Sequence, residues 1–169
     1  MGRDKALLRI GGKTLLERSA ERVREAAGNV VIVAEPSRYA HFGFPVIPDR
    51  EFGKGPLGGI VAALEATVTD WNLVVAVDMP GIETATLEWL IGTALPGEFD
   101  CVAPIGDTGP EPLCAMYRRR ALPTLRNALD LDILKMRTVL SMLDTAIVEV
   151  PFPAKFNNIN TPEDWAAHG

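Results

Sequence analysis

One apolar run limits the folds open to this chain more than any other feature. Residues 73–77 are all apolar, and Asp78-Met79-Pro80 follows them directly. A continuous apolar run of this length is typical of a strand that is buried on both faces, as in the middle of a parallel sheet. Pro80 prevents the strand from simply continuing, because proline has no N–H group for the next ladder hydrogen bond. The run therefore predicts a buried strand closed by a carboxylate.

The position of Asp78 makes it a candidate functional residue. In open α/β sheets, ligands bind just beyond the carboxyl ends of the strands. A carboxylate at that point could hold a divalent cation or a substrate hydroxyl. Aspartate is also common in turns. The run by itself leaves both interpretations open.

The rest of the chain alternates between helical and extended patterns. Helices are predicted over 13–27, 84–95, 121–129 and 135–143 from the helical spacing of their apolar residues. Gly28 is the expected C-terminal cap of the first helix, and Thr84 is the expected N-terminal cap of the second. A glycine-rich loop at 52–59 leads into a further helix that reaches about 68. Strands are predicted over 29–34, 44–47, 99–104, 112–117 and 146–150. This alternation indicates a three-layer α/β fold with a mainly parallel sheet and right-handed crossovers. No repeat or linker divides residues 1–169, so we expect a single domain.

Composition narrows the class of protein. The chain has 169 residues, of which 47% are hydrophobic, enough for one domain with a sizeable core. Its apolar runs are too short to span a bilayer, and no signal-peptide pattern is visible, so we expect no membrane association. A net charge of -5 argues against nucleic acid as a partner. A small anionic ligand remains compatible with that charge.

The cysteine and histidine content argues against several kinds of site. Cys101 and Cys114 lack CxxC spacing, so they are expected to be reduced thiols in a cytoplasmic protein. With only His41 and His168 available, a zinc site or a Ser-His-Asp triad is disfavoured. A metal here would be a hard ion held by oxygen, and Mg²⁺ is the natural candidate.

Two carboxylates and a glycine-rich loop form the main candidate site. Asp49 and Asp78 each follow a predicted strand, and the glycine-rich loop lies between them in sequence. If both strands belong to one parallel sheet, the two carboxylates converge on one crevice, and Mg²⁺ needs only one or two carboxylates besides substrate phosphate. Asp49 could equally be a solvent-facing loop residue. The loop is not a Walker A sequence, and a tight turn before a helix would also use its glycines.

Three further side chains become candidates only in context. Lys5 alone would be an ordinary solvated surface charge. Asn158 and Asn160 flank an isoleucine, so in an extended loop both amides would point the same way. That arrangement suits a polar ligand, although a loop entering a helix would explain it too.

Taken together and in order, these segments resemble the molybdenum cofactor guanylyltransferase family. The pieces that carry the resemblance are Met1-Gly2-Arg3-Asp4-Lys5, Val46-Ile47-Pro48-Asp49, Gly55-Pro56-Leu57-Gly58-Gly59, Val77-Asp78-Met79-Pro80, Pro112-Leu113-Cys114-Ala115-Met116-Tyr117 and Asn158-Ile159-Asn160-Thr161-Pro162-Glu163. They run over nearly the whole chain. The resemblance implies a Rossmann-like nucleotidyltransferase fold.

The resemblance also implies an activity and a set of roles. The family transfers GMP from GTP to the phosphate of molybdopterin, which forms the guanine dinucleotide cofactor and releases pyrophosphate. By this resemblance Lys5 and Asp78 are catalytic, and Asp78 binds Mg²⁺. The implied contacts to the nucleotide are Lys5, Asp49, Asp78, Gly55, Pro56 and Leu57. Asn158 and Asn160 would lie on the pterin side, and molybdoenzymes or cofactor-synthesis proteins are the expected protein partners.

One departure from the family pattern concerns the first strand. In the family, a strand and a glycine-rich loop precede the Met-Gly-x-x-Lys piece, whereas this sequence starts with that piece, at Met1. We therefore expect the first strand to be missing from this chain, with the true start upstream. The missing strand would lie between the strands that end near Ala34 and Asp78, and its absence would leave two inner edges unpaired.

Two alternatives remain open from sequence. The chain could be a related transferase that uses CTP or acts on another phosphorylated acceptor. It could also be an inactive, truncated binding module, although the retained Lys5, Asp49 and Asp78 speak against this.

Overall fold

Helices and strands alternate along most of the chain, as the sequence predicts. The computed structural model describes residues 4–51 and 53–156. The helices are α1 (Leu15–Ala27), α2 (Pro36–Tyr39), α3 (Gly55–Ala66), α4 (Thr84–Ala94), α5 (Leu122–Asp130) and α6 (Met136–Leu140), with 3-10 turns at Lys5–Leu7, Ala40–Phe42 and Arg119–Ala121. The strands are β1 (Arg9–Ile10), β2 (Lys13–Thr14), β3 (Ile32–Val33), β4 (Val46–Ile47), β5 (Trp71–Val75), β6 (Cys101–Gly106), β7 (Gly109–Pro110), β8 (Cys114–Arg118) and β9 (Thr145–Val148).

The main sheet is mixed, and most of its long strands run in one direction. β8 lies between β5 and β6 and is antiparallel to both, while β9 pairs with the other edge of β6 in parallel. Thus β5, β6 and β9 share one direction, and β8 opposes them. The chain reverses direction in a tight hairpin between β6 and β7, in which Gly106 pairs with Gly109. So short a connection can join only antiparallel strands.

Alternate residues of the sheet face two different helical layers. On one face, Cys101 and Ala103 of β6 and Tyr117 of β8 pack with α3, α5 and α6. On the other face, Val102 and Met116 pack against α4. All five of these residues are buried. The predicted three-layer α/β fold is therefore confirmed. Successive side chains along the strands point alternately to the two faces of the sheet, and both faces are covered by helices.

A cleft separates β3 from β5. In the described ladders β3 pairs with β4 and β5 pairs with β8. A cavity of about 480 Å³ lies between the two strand segments, lined by residues 30–34 and 73–77 and by parts of α1 and α3. We call this cavity the β3–β5 cleft. The arrangement agrees with the expectation that these two strands are not neighbours in the sheet. The prediction that the strand before Asp78 is buried on both faces is wrong. Every residue of β5 is only partly buried, because β5 is the edge strand of its described sheet and residues 73–77 line the cleft.

Helix ends follow local sequence signals, with one correction. Thr14 and Glu17 form a reciprocal capping box at the start of α1, and Gly28 ends that helix in the left-handed conformation with φ of 80°. The prediction that Thr84 caps α4 is wrong. Glu83 occupies the cap position, and the Thr84 hydroxyl donates instead to a carboxylate oxygen of Glu25 at 2.8 Å.

None of the helices within residues 4–51 and 53–156 is long and apolar enough to cross a lipid bilayer.

Candidate functional site

Lys5 and Asp78 are brought together from distant parts of the chain. Lys5 begins the 3-10 turn Lys5–Leu7, and Asp78 follows the end of β5 at Val75. The Lys5 Nζ lies 3.8 Å from Asp78 Oδ2. Their side chains are 32% and 22% exposed, so a ligand in solvent can reach both. This pair is one cation and one anion beyond the carboxyl end of β5, where ligands of open α/β sheets bind.

Asp4 holds the turn that carries Lys5. Its Oδ1 accepts a hydrogen bond from the Ala6 N–H at 3.1 Å, which caps the turn. Its Oδ2 accepts from Tyr39 Oη at 2.5 Å and from Arg38 Nη2 at 2.6 Å. The backbone that positions Lys5 is therefore attached to α2, more than thirty residues away in sequence.

Helix α1 and the sheet hold the loop that carries Asp78. Arg22 Nη1 donates to the Pro80 carbonyl oxygen at 2.8 Å, and the Ala76 N–H donates to the Leu113 carbonyl oxygen at 2.7 Å. Met79 is buried beside the loop, with 4% of its surface exposed. Burial is the main cause that lowers the pKa of Arg22, followed by the nearby charge of Arg18. These contacts hold the backbone on both sides of Asp78 and thereby position its carboxylate.

Asp49 lies against α3. Its Oδ1 accepts from the Glu51 N–H at 3.0 Å. A Cβ at Gly58 would meet the Glu51 Cβ at 2.9 Å and Asp49 Oδ1 at 3.4 Å. We expected Asp49 and Asp78 to converge if their strands shared one sheet, but the described ladders place β4 with β3 and β5 with β8. The structure thus joins Lys5 with Asp78 and places Asp49 beside the start of α3.

The glycine-rich loop runs directly into α3. Gly53 and Gly55 have positive φ angles of 82° and 63°, which glycine adopts without a Cβ clash. Lys54 occupies the cap position but makes no side-chain cap to the first helical turn. Pro56 lines the β3–β5 cleft together with Lys5. Leu57 is fully buried in the core, so its side chain is unavailable and only its backbone could contact a ligand.

The carboxylate of Asp78 fits a divalent ion that is bound by few protein ligands. Among the described residues, no group of three or more histidine, cysteine, aspartate or glutamate side chains could hold a metal ion. Mg²⁺ usually keeps several waters and binds through one or two carboxylates plus substrate phosphates. A partly exposed Asp78 matches that kind of site. Asn158 and Asn160, predicted on the pterin side, lie outside the described residues.

Sequence reasoning missed the residues that support Lys5 and Asp78. Asp4 is part of the Met1–Lys5 piece, yet nothing in its pattern indicates a bond to Tyr39. Arg22 looks like one of several charged residues on the outer face of α1. Neither contact has a local signal, because each partner lies on another element.

Known proteins resemble this chain in sequence and in structure. A protein of Vibrio parahaemolyticus named molybdenum cofactor guanylyltransferase is 32% identical over 171 residues, which cover 99% of this chain and 87% of that protein. The crystal structure of molybdopterin-guanine dinucleotide biosynthesis protein A from Archaeoglobus fulgidus superimposes with a TM-score of 0.80 at 27% identity, over 99% of this chain and 89% of that one.

A more distant structure shares the fold. The 2-C-methyl-D-erythritol 4-phosphate cytidylyltransferase of Thermus thermophilus has a TM-score of 0.72 at 18% identity, over 97% of this chain and 91% of that one. Residues 1–146 match the family described as the MobA-like NTP transferase domain. With that match over most of its length, and with a Rossmann-like sheet that ends at the Lys5–Asp78 pair, the chain belongs to the MobA-like NTP transferase family.

Proposed function

We propose that this chain transfers GMP from GTP to molybdopterin, forming the guanine dinucleotide cofactor and releasing pyrophosphate. The observation that carries the proposal is the Lys5–Asp78 pair, 3.8 Å apart and partly exposed at the edge of the β3–β5 cleft. Relatives that cover nearly all of this chain are named for guanylyl transfer to the molybdenum cofactor, which supports the same substrates here.

The reaction is an in-line displacement at phosphorus. A phosphate oxygen of molybdopterin forms a bond to the α-phosphorus of GTP, and the bond from that phosphorus to the bridging oxygen breaks, so pyrophosphate leaves with the bonding electrons. Negative charge accumulates on the transferred and leaving phosphates, so a fixed cation nearby lowers the barrier. In this proposal the Lys5 ammonium supplies that charge. No protein nucleophile is needed.

The start of α3 would hold the triphosphate from the other side. The first turn of a helix has N–H groups without intrahelical partners, and its dipole favours an anion. The Gly55 and Leu57 N–H groups are the available donors, while Pro56 contributes shape only. Asp49, beside this turn, would contact the nucleotide. Asn158 and Asn160 remain predicted contacts on the pterin side.

Asp78 is the proposed ligand for Mg²⁺. When bound, the ion would neutralise phosphate charge and act as a Lewis acid on the phosphoryl oxygens. Asp78→Asn keeps the size of the side chain but removes its charge. We expect a rise in the Mg²⁺ concentration needed for half-maximal rate and a loss of rate of at least about a hundredfold. Asp130→Asn, which alters an exposed carboxylate at the end of α5, is the matched control and should change neither.

The function is tested by following pyrophosphate release from the purified chain with molybdopterin and Mg²⁺. GTP should support release, and the product should have the mass of the guanine dinucleotide cofactor. CTP at the same concentration should be a poor substrate. No release with GTP, or faster release with CTP, would overturn the guanylyl assignment.

The two free, buried cysteines support a reducing compartment, and we propose that the chain acts in the cytoplasm. Fractionation of the native cells with an antibody to the chain tests this. Recovery with an oxidising compartment would contradict it.

A further inference from the structure

We propose that Tyr39 is a positioning residue that acts through Asp4 on Lys5 and thereby strengthens binding of the nucleotide triphosphate. The proposal rests on the proposed function for its ligand. Its geometric basis is a cluster of three residues, Asp4, Arg38 and Tyr39, which we call the Asp4 clamp.

The Asp4 clamp uses both oxygens of one carboxylate. Oδ1 caps the 3-10 turn through the Ala6 N–H at 3.1 Å, and Oδ2 accepts from Tyr39 and Arg38 at 2.5 and 2.6 Å. The Asp4 side chain is only 18% exposed. Hydrogen bonds to an ionised acceptor are shorter and stronger than neutral ones, so this carboxylate is held in one orientation.

Tyr39 is the rigid member of the clamp. It is 9% exposed and packs in a core cluster with Ala6, Leu16 and Ile32. Arg38 is 57% exposed, and exposed ion pairs contribute little because water screens them. Burial, and then the bond to Asp4, raise the pKa of Tyr39, so the hydroxyl remains a donor at neutral pH. The orientation of Asp4 therefore depends mainly on Tyr39.

Lys5 is the residue that this orientation affects. It follows Asp4 directly and begins a turn of three residues, which is too short to hold its own shape without a cap. A lysine side chain is long and flexible, so its backbone origin largely decides where the ammonium lies. With the clamp intact, the Lys5 Nζ lies 3.8 Å from Asp78 Oδ2, and Lys5 is one of the residues that line the β3–β5 cleft.

The clamp also controls an unfavourable charge. The Asp4 carboxylate adjoins a lysine that is proposed to bind phosphate, and a mobile anion there would repel the triphosphate. Two donors, one of them cationic, hold and partly neutralise this carboxylate. Loss of the Tyr39 hydroxyl would both loosen Lys5 and release the Asp4 charge.

A double-mutant cycle separates positioning from general stabilisation. Binding of GTP and of inorganic tripolyphosphate, both with Mg²⁺, is measured by calorimetry. Tyr39→Phe should weaken both ligands by about tenfold, the scale of one hydrogen bond to a charged group. In a Lys5→Ala background the same change should have less than about a twofold effect, because the residue through which Tyr39 acts is gone.

Tyr117→Phe is the matched control. The Tyr117 hydroxyl donates to the Pro112 carbonyl oxygen at 2.9 Å in the core, so the variant loses a buried hydroxyl without touching the Asp4 clamp. It should leave tripolyphosphate affinity unchanged. Equal weakening by Tyr39→Phe in both backgrounds, or no weakening in the parent chain, would overturn the proposal.

A second readout does not depend on the ligand. The Ala6 amide is protected by Asp4 Oδ1, so its hydrogen exchange should be at least about fivefold faster in Tyr39→Phe and unchanged in Tyr117→Phe. If the parent chain binds neither GTP nor tripolyphosphate, the proposed function fails. The clamp is then judged by Ala6 exchange alone, and unchanged exchange in Tyr39→Phe would overturn it.

Discussion

The guanidinium of Arg22 donates to the carbonyl oxygen of Pro80 at 2.8 Å and so joins α1 to the loop that carries Asp78, across 58 residues of sequence. The Asp78 carboxylate is thus supported from outside the sheet as well as by β5. Lys5 has an equivalent support in the Asp4 clamp. The two charged groups of the candidate site are held by separate elements.

Arg22→Met tests the first support. Methionine keeps most of the aliphatic stem but cannot donate, so the Pro80 carbonyl loses a charged partner and the Asp78 loop loosens. We expect the rate of pyrophosphate release to fall about tenfold and the free energy of unfolding to fall by about 1.5 kcal/mol. Arg24→Met removes an exposed guanidinium from the same helix and should leave the rate unchanged. An unaltered rate in Arg22→Met would contradict this role.

Gly58→Ala tests the packing of the Asp49 loop on α3. The new Cβ would meet the Glu51 Cβ at 2.9 Å and its carbonyl oxygen at 3.1 Å, so the loop must shift. We expect a loss of about 1–3 kcal/mol in the free energy of unfolding, measured by urea denaturation. At Gly59, the next residue in α3, a new Cβ would meet no atom within 4 Å apart from its chain neighbours and the backbone of its own helix, so Gly59→Ala should stabilise the helix by up to about 1 kcal/mol. Equal effects at both positions would refute the argument.

Lys5→Met separates catalysis from stability. The Lys5–Asp78 pair is partly exposed, and such pairs contribute only about 0–1 kcal/mol to stability. The charge beside the reacting phosphates should matter far more, by about a hundredfold or more in rate. Melting temperature and pyrophosphate release are measured on the same preparation. Lys13→Met alters an exposed lysine paired with Glu21 and should preserve the rate. A large drop in melting temperature with a preserved rate in Lys5→Met would reverse the assignment.

Burial raises the pKa of Cys101 and of Cys114 to about 12. The folded protein should therefore resist iodoacetamide at pH 8 and react fully in denaturant, because only the thiolate is alkylated. The thiols of the unfolded chain have a pKa of about 8.5, so the folded state binds the thiol protons of Cys101 and Cys114 more tightly. The contribution of these two thiols to the free energy of unfolding is therefore fully present below about pH 8.5 and is lost as the pH rises towards 12.

Denaturant titrations at pH 8 and pH 10 measure this loss. The decline should be smaller in a Cys101→Ala/Cys114→Ala protein, which lacks both thiols and otherwise keeps the same lysines and tyrosines. Rapid alkylation of the folded parent chain at pH 8 would be incompatible with the burial of these side chains.

Local patterns predicted the elements well and their partners poorly. The apolar periodicity of 13–27 and the glycine at 28 predicted α1 and its end, since both depend on residues that are close in sequence. The antiparallel direction of β8 was not predicted, because an apolar strand on its own does not reveal its direction. Thr84 has the chemistry of a cap, but Glu25 on a neighbouring helix competes for its hydroxyl.

Sequence by itself determined the α/β class, the presence of a strand before Asp78 and, through matching motifs, the candidates Lys5, Asp49 and Asp78. Those features depend on hydrophobic periodicity and short-range chemistry, which are encoded within a few residues. The predicted burial of the strand before Asp78 on both faces was wrong, because β5 is the edge strand of its described sheet and is only partly buried. Only the tertiary structure decided that Lys5 meets Asp78, that Asp49 lies beside α3, and that Tyr39 and Arg22 support the two charged groups. Such contacts join residues far apart in the chain, and they exist only once the sheet and helices pack.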